Sequence, residues 1–264
     1  MDDAARRLVA DALLAAYSGP PVEPPTVTHP EMTLEDAYRI QLDQVVRRVA
    51  DGAVIKGHKV GLTSAAMQRQ LGVDQPDYGH LFGDMFHLEH LPIPVGTFQQ
   101  PRVEPEVAFV LKHPLRGPGV TVADAIAAID VVLPSLEIID SRIRDWQLTI
   151  RDTIADNASS GGVVLGSSPV PVSGLDLRRM GCVLQRNGEV VGTGAGGAVL
   201  GSPVSSLVWL ANTVGVHGVV LEAGNVILPG SITASVPVTP GDSITATFAG
   251  LGSVTAHFAK EGTA

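Results

Sequence analysis

Two glutamates stand two positions apart in an apolar part of the sequence. The run 103–111 reads Val-Glu-Pro-Glu-Val-Ala-Phe-Val-Leu, a composition that is typical of a strand. Alternate residues of a strand share a face, so Glu104 and Glu106 would lie side by side, roughly 6–7 Å apart at their Cα atoms. Like charges at this spacing repel unless a positive charge lies between them. Their apolar companions Ala108 and Val110 argue against a fully solvated face.

A third glutamate, Glu137, interrupts a second apolar run. A buried carboxylate without a partner costs free energy, so it needs a cation. Arg142 or Arg144 could supply a structural ion pair. Alternatively, Glu137 shares a hard cation such as Mg²⁺ or Mn²⁺ with Glu104 and Glu106, because these ions prefer oxygen ligands. Structural ion pairs also perturb carboxylates, so the spacing alone leaves both interpretations open.

Other polar positions carry weaker signals. Lys59 ends a predicted strand before a helix, where it is either solvated or able to supply a proton or bind a substrate carboxylate. Asp77 lies in Gln-Pro-Asp-Tyr-Gly-His, which by itself indicates a turn. The polar, small-residue segment 156–162 either caps a helix or offers hydroxyls and amides to an anion. None of these positions alone defines a function.

The composition limits the classes of function. The 264 residues carry a net charge of −9, with 45% hydrophobic and 17% charged residues, which predicts a globular protein with a sizeable core. An acidic surface disfavours nucleic-acid binding. No run approaches the roughly 18 uninterrupted apolar residues of a membrane helix, no signal peptide is apparent, and the single cysteine excludes an intrachain disulfide. We therefore expect a cytoplasmic protein that binds neither nucleic acid nor membrane.

The predicted secondary structure changes from helices to strands along the chain. Apolar residues at helical spacing predict helices over 2–18, from Thr33 onwards and over 64–71. Short β-branched runs punctuated by Gly and Pro follow, interrupted by a helix capped by Thr121 and another from Pro203 to Val214. The fold class is α+β, and we divide the chain into a helical N-terminal region, 1–75, and a β-rich domain, 76–264. Residues 21–30 and the tail after Lys260 look loose.

Three familiar patterns are set aside. Residues 192–197 match GxGxxG, but the helix begins too late after it and the preceding hairpin at Asn187-Gly188 is antiparallel, so the match does not indicate a dinucleotide site. These glycines would instead let a strand pass close to another backbone or to a ligand. The histidines at 80, 87 and 90 fit no standard zinc spacing. No GxSxG is present, so nothing supports a serine-hydrolase elbow.

Taken together and in order, five segments resemble one family. They are Lys59-Val-Gly-Leu-Thr-Ser64, Gly72 to Gly79, Glu104-Pro-Glu106, Leu136 to Arg142, and Ala155-Asp-Asn-Ala-Ser-Ser160. This order is similar to that of the 2-keto-4-pentenoate hydratase family within the fumarylacetoacetate hydrolase superfamily. The likeness runs from about residue 33 to 258.

The resemblance implies a helical segment on a β-rich, flattened-barrel catalytic domain that forms a homo-oligomer. It implies a divalent cation, Mg²⁺ or Mn²⁺, bound by Glu104, Glu106 and Glu137. It also implies Lys59 and Asp77 as the acid–base pair, with Ser160 and Leu62 beside the substrate. The expected reaction is the hydration of 2-hydroxypenta-2,4-dienoate (2-keto-4-pentenoate) to 4-hydroxy-2-oxopentanoate in meta-cleavage catabolism of aromatic or sterol rings, with a downstream aldolase as a partner.

Related activities remain as alternatives. Decarboxylases of 4-oxalocrotonate resemble this sequence in the proline between Glu104 and Glu106, whereas Pro76 to Gly79, Asp145-Trp146 and the short path to Ala155 fit a hydratase of a five-carbon monoacid. A hydratase of a longer diacid, a C–C hydrolase of acylpyruvates and a binding protein without catalysis are further alternatives.

The charges expected near the substrate bear on this choice. A decarboxylase substrate has a second carboxylate, which needs a basic partner. The motif segments offer few candidates beyond Lys59 and Arg142, so we expect a small, largely apolar far end of the cavity that suits a vinyl group.

Overall fold

The computed structural model describes residues 1–259, without the side chains of Met67, Gln70 and Leu71. Its helices lie mostly in the first part of the chain. They are α1 (Asp3–Ala15), α2 (Pro25–Thr28), α3 (Leu34–Ala50), α4 (Ala65–Leu71), α5 (Val122–Ala128), α6 (Ile150–Ala155) and α7 (Pro203–Gly215). Helix α3 begins at a capping box, in which the Thr33 side chain accepts from the Asp36 backbone and the Asp36 carboxylate accepts from the Thr33 amide.

Thirteen strands are found within the described residues. They are β1 (Ile55–Gly61), β2 (Asp77–Phe82), β3 (Phe86–Leu88), β4 (Ile93–Pro94), β5 (Arg102–Leu111), β6 (Ile129–Ile139), β7 (Ser160–Leu165), β8 (Gly181–Arg186), β9 (Glu189–Ala195), β10 (Val226–Leu228), β11 (Val236–Pro237), β12 (Ser243–Phe248) and β13 (Gly252–Ala259).

These strands form two sheets. The larger is strongly curled and has the order β2-β1-β10-β5-β6-β7-β3, with β11 paired to β5. The smaller has the order β4-β13-β12-β8-β9. Strand β1 pairs in parallel with β10 and antiparallel with β2, while β5 and β6 form a long antiparallel ladder. The N-terminal helices, together with this curled sheet, make the predicted α+β class correct.

The main core lies between the two sheets and α7, and it includes Leu207, Leu210 and Val214. By length and composition alone, the segment Gly196–Gly215 would suffice to cross a membrane. In the fold it consists of a short 3-10 turn followed by α7, whose apolar side packs into this core. This segment is therefore a core helix of the fold.

Most predicted elements are confirmed, with informative differences. Asp77, predicted in a turn, begins the buried strand β2, and the segment before Asp156 contains the unpredicted helix α6. Strand β1 comes from the predicted helical region yet lies inside the larger sheet, so the division at residue 75 stays a prediction. The loose stretch 21–30 contains α2, and the tail after Lys260 lies outside the described residues. The GxGxxG glycines do permit close approach, since a side chain at Gly194 would collide with the Ile232 carbonyl.

Candidate active site

The three glutamates converge on one point in the larger sheet. The antiparallel register of β5 and β6 places Glu104 directly opposite Glu137, and Glu106 follows on the same face of β5. One carboxylate oxygen from each lies within 4.8 Å of the others. The sheet therefore brings Glu137 next to Glu104 and Glu106, although Glu137 is distant from both in sequence.

This cluster is costly without a cation. Burial and the charge of Glu137 raise the pKa of Glu104 to about 7, and burial raises the pKa of Glu106 and of Glu137 as well. Oε1 of Glu106 and both carboxylate oxygens of Glu137 are buried without a hydrogen-bond donor among the described residues. The other Glu106 oxygen accepts the Gly230 amide at 2.7 Å. Converging oxygens that lack donors fit a hard divalent cation.

Lys59 is the cation closest to this cluster. It lies on β1, and its Nζ is 3.2 Å from Glu137 Oε1, an ion pair whose angles do not make it a hydrogen bond. Burial alone would lower the pKa of Lys59, but the charges of Glu137 and Asp77 outweigh it and raise the pKa. The alternative partners of Glu137 are therefore wrong: Arg142 pairs with Asp156, and Arg144 with Glu23.

Asp77 faces Lys59 from the neighbouring strand. It lies opposite Gly61 in the β1–β2 ladder, and a side chain at Gly61 would collide with Asp77 Oδ1 while approaching Lys59 Nζ. The Thr153 hydroxyl, from α6, donates to Asp77 Oδ2 at 3.0 Å. Burial raises the pKa of Asp77, against the opposing effects of Lys59 and Thr153. Oδ1 of Asp77 is buried without a donor among the described residues.

Lys59, Asp77 and Glu104 line one cavity of about 340 Å³. Apolar side chains and polar groups both line it; they include Lys59, Leu62, Asp77, Arg102, Glu104, Ile139, Trp146, Leu148, Thr153, Ala158 and Ser159. Leu62, predicted to lie beside the substrate, is in the wall with a φ of 56°. Residues with a Cβ rarely adopt this left-handed backbone conformation, because it is strained. Backbone strain of this kind is common at functional sites.

Ser160 lies behind this wall. Its buried hydroxyl donates to the Asn157 carbonyl at 2.8 Å, while Ala158 and Ser159 reach the cavity. Three successive residues, Asn157 to Ser159, have φ between 51° and 53°. Direct contact between the Ser160 side chain and substrate stays a prediction.

The tight turn 157–159 is held from both sides. Asn157 exchanges two hydrogen bonds with the His80 backbone on β2, and a side chain at Gly79 would collide with the Asn157 carbonyl. The Arg142 guanidinium donates to the Asp156 carboxylate and to the carbonyls of Asp140, Asp156 and Ser160. Arg142 thus fixes the turn and does not line the cavity.

Sequence reasoning missed several residues of the cavity, and Arg102 and Thr153 are the two that bear on its chemistry. Arg102 precedes Glu104 by two positions on β5, so the alternation that paired the glutamates could have found it. The expectation that Lys59 and Arg142 were the main basic candidates was therefore wrong. Thr153 belongs to a one-and-a-half-turn helix without a periodic apolar pattern, and nothing in the sequence placed it near Asp77.

Comparisons with known proteins agree with this fold. The model of the fumarylacetoacetate (FAA) hydrolase C-terminal family matches residues 60–259, and the chain belongs to that family. It is 46% identical over 244 residues to 2-keto-4-pentenoate hydratase of Paraburkholderia xenovorans (strain LB400), covering 92% of this chain and 91% of that protein. It is 44% identical to a 4-oxalocrotonate decarboxylase of Pseudomonas putida, covering 88% of each.

A solved structure is similar along nearly the whole chain. It is 4-oxalocrotonate decarboxylase from Pseudomonas putida G7, complexed with magnesium and adipate, with a TM-score of 0.94, 40% identity and coverage of 98% of both chains. The same enzyme has also been solved with calcium and acetate. The relatives therefore include both a hydratase and a decarboxylase.

Proposed function

We propose that this protein is a hydro-lyase that adds water to 2-hydroxypenta-2,4-dienoate and forms 4-hydroxy-2-oxopentanoate. One observation carries the proposal: three glutamates converge on one point, and one of them, Glu104, lines a single cavity with Lys59 and Asp77. Buried carboxylate oxygens of the other two, Glu106 and Glu137, lack a hydrogen bond among the described residues. The 46% identity to a 2-keto-4-pentenoate hydratase over most of both chains supports the same reaction.

Glu104, Glu106 and Glu137 would hold a divalent cation, Mg²⁺ or Mn²⁺. Magnesium or calcium in the similar decarboxylase structures supports a divalent ion. When bound, such an ion polarises substrate oxygens and stabilises the negative charge that develops on an enolate. The Gly230 amide holds Glu106 in place for this role.

Lys59 and Asp77 would move the protons. The reaction requires a proton at C5, which gives a conjugated 2-oxo-3-enoate, and then the addition of water at C4. The raised pKa of Lys59 keeps its ammonium group charged and able to donate. Asp77 Oδ1 accepts no hydrogen bond from the described residues. This oxygen is therefore available to accept a proton from water. Thr153 orients the Asp77 carboxylate through its other oxygen.

The cavity wall would select the substrate. Leu62, Ile139, Trp146 and Leu148 provide apolar surface for a vinyl group, and Ala158 and Ser159 close one side.

A 4-oxalocrotonate-type decarboxylase is the second candidate. Arg102 in the cavity wall is the observation that favours it, because a diacid needs a cation for its second carboxylate. The proline between Glu104 and Glu106 is also decarboxylase-like. An acylpyruvate C–C hydrolase, by contrast, needs a catalytic His–Glu pair, and the described cavity wall contains no histidine.

One assay separates the two candidates. The purified protein, with Mg²⁺ and with Mn²⁺, is incubated with the dienoate and with a 4-oxalocrotonate-type diacid. We expect 4-hydroxy-2-oxopentanoate from the dienoate and no release of CO₂. Release of CO₂ from the diacid far faster than hydration of the dienoate would make the protein a decarboxylase.

The metal site has its own test in Glu106→Gln. We expect this variant to lose bound Mg²⁺ in calorimetric titration, and to lose turnover, while its circular dichroism spectrum is unchanged. Glu189→Gln, at an exposed position of β9, is the matched control and should behave like the unmodified protein. Unchanged Mg²⁺ affinity in Glu106→Gln would contradict the assignment of the ligands.

The setting of the reaction is part of the same proposal. The resemblance to the 2-keto-4-pentenoate hydratases supports a role in meta-cleavage catabolism of aromatic or sterol rings for this protein. Its product would be an aldol, so an aldolase is the class of enzyme that consumes it. We also propose a cytoplasmic location and a homo-oligomeric assembly, which light scattering of the purified protein would test.

A further inference from the structure

Arg102 occupies a particular place beside the candidate metal cluster. It is the first residue of β5 and lies on the same strand face as Glu104, two positions away. The two residues line the same cavity, together with Trp146 and Ser235. Among residues 1–259, no carboxylate forms an ion pair with Arg102, although Glu104 lies close enough for the guanidinium charge to lower its pKa.

One edge of the guanidinium group is anchored. Its Nε donates to Ser235 Oγ at 2.9 Å, and its Nη2 reaches the Ser235 carbonyl at 3.5 Å. Ser235 directly precedes β11, which pairs with the start of β5. The Trp146 ring lies 5.9 Å from the guanidinium carbon. These contacts fix the orientation of Arg102 and leave Nη1 without a partner among the described hydrogen bonds.

The charges of the site explain why a second cation is needed there. When ionised, the carboxylates of Glu104, Glu106, Glu137 and Asp77 exceed the combined charge of Lys59 and one divalent ion by one negative charge. A 2-oxo acid substrate is itself an anion. Arg102 neutralises the excess, and its planar group matches a carboxylate better than an ammonium group does.

We propose that Arg102 is a specificity-determining residue that binds the C1 carboxylate of the 2-oxo acid substrate. The assignment to C1 follows from its position beside Glu104, because the proposed cation and the acid end of the substrate meet there. The identity of the substrate in this inference rests on the proposed function. The recognition of a carboxylate by Arg102 does not depend on it.

The test measures binding without turnover. The probes are 2-oxopentanoate, which is saturated and cannot be hydrated, its neutral amide, 2-oxopentanamide, and the diacid adipate. Calorimetry is performed at Mg²⁺ concentrations that saturate each variant, after Mg²⁺ affinity has been measured separately. The variants are Arg102→Met, Arg102→Lys and the control Arg39→Met, whose arginine is largely exposed on α3.

We expect Arg102→Met to weaken binding of 2-oxopentanoate by about 10- to 100-fold, the range for hydrogen bonds to a charged group. Binding of the amide should change less than about threefold on the same scale, Arg102→Lys should lie between the two, and Arg39→Met should have no effect. Equal losses for acid and amide, or no loss, would overturn the proposal by showing a structural role or none. A loss seen only with the diacid adipate would overturn the assignment to C1.

The two proposals fail separately. If the unmodified protein does not hydrate the dienoate but still shows Arg102-dependent binding of 2-oxopentanoate, the proposed reaction is wrong and the role of Arg102 stands. If hydration occurs and binding does not depend on Arg102, only this inference fails.

Discussion

Two buried ion pairs lie on either side of the same cavity wall, and they differ in how completely their atoms are satisfied. The Arg142–Asp156 pair is saturated, because the guanidinium donates four hydrogen bonds and the carboxylate also accepts from Ser141 and Ser159. The Lys59–Glu137 pair is not, because both oxygens of Glu137 lack a hydrogen bond. Both pairs are almost fully buried.

This difference distinguishes an ion pair that stabilises the fold from an ion pair that belongs to the candidate active site. At neutral pH the Asp156 carboxylate is ionised, even though burial raises its pKa to about 6, and every contact it makes fixes the turn 157–159. The unsatisfied oxygens of Glu137 cost free energy in the isolated chain, and a cation or a substrate would remove that cost. A buried ion pair with unpaired atoms is therefore the better indicator of a reactive site.

The largest effect on stability should come from Arg142→Met. The change leaves Asp156 charged and buried, which typically costs about 3–5 kcal/mol. Urea unfolding followed by circular dichroism measures it, with Arg39→Met as the surface control. Adding Asp156→Asn to the variant should recover part of the loss. A loss below about 1 kcal/mol, the usual value of an exposed pair, would remove the distinction between the two pairs.

Lys59→Met should act in the opposite way, on turnover more than on stability. We expect kcat to fall by roughly 10² or more, as for loss of an acid–base group, and Asp77→Asn to behave alike. Glu137 can take up a proton or a cation, so the loss in stability should be less than half of that for Arg142→Met. Lys56→Met, at an exposed position on the same strand, is the control. Near-normal turnover in both variants would refute the chemical role.

The carboxylate cluster should also make the metal-free protein sensitive to pH. The folded state raises the pKa of Glu104 from 4.5 to about 7, so it binds more protons than the unfolded state in this window. Stability should therefore fall as pH rises from 4.5 to 7, by up to about 1.4 kcal/mol per pH unit. Thermal unfolding with a chelator measures the slope, which should flatten in Glu104→Gln. Stability that rises across this window in the metal-free protein would contradict the assignment.

The smallest effect should come from Thr153→Val. The variant keeps the shape of the side chain but removes the donor to Asp77, so the pKa of Asp77 rises further. The limb of the kcat profile that reports Asp77 should move to higher pH, and kcat at neutral pH should fall by up to about tenfold, roughly the value of one hydrogen bond to a charged group. Thr153→Ser should restore both, and a profile equal to that of the unmodified protein would exclude this role.

The sequence could predict the cluster of three glutamates because strand alternation is local. Glu104 and Glu106 share a face by spacing alone, and Glu137 was conspicuous as a charge in an apolar run. What spacing could not predict was the partner of Glu137. Lys59 is on β1 and Glu137 on β6, and β10 and β5 lie between these two strands in the sheet. A strand order of this kind depends on contacts between distant parts of the chain.

Asp77 shows a second limit. Its neighbours Pro76 and Gly79 are turn-forming residues, so local propensity predicts a loop. In the fold, Gly79 lies in strand β2. Because it has no side chain, the turn at Asn157 can approach this strand closely. Tertiary contact here overrides local preference, and it does so beside Lys59 and Asp77.

The parallel pairing of β1 with β10 has a consequence for how the protein is made. Gly57 and Val226, which lie opposite each other in this ladder, are separated by more than half of the chain. During synthesis, which proceeds from the N-terminus, β1 has only β2 as a neighbour until β10 has been translated. Pairings this distant in sequence slow folding, and an uncovered strand edge is open to association with other chains. Because Lys59 lies on β1, the site would be among the last parts of the nascent protein to assemble.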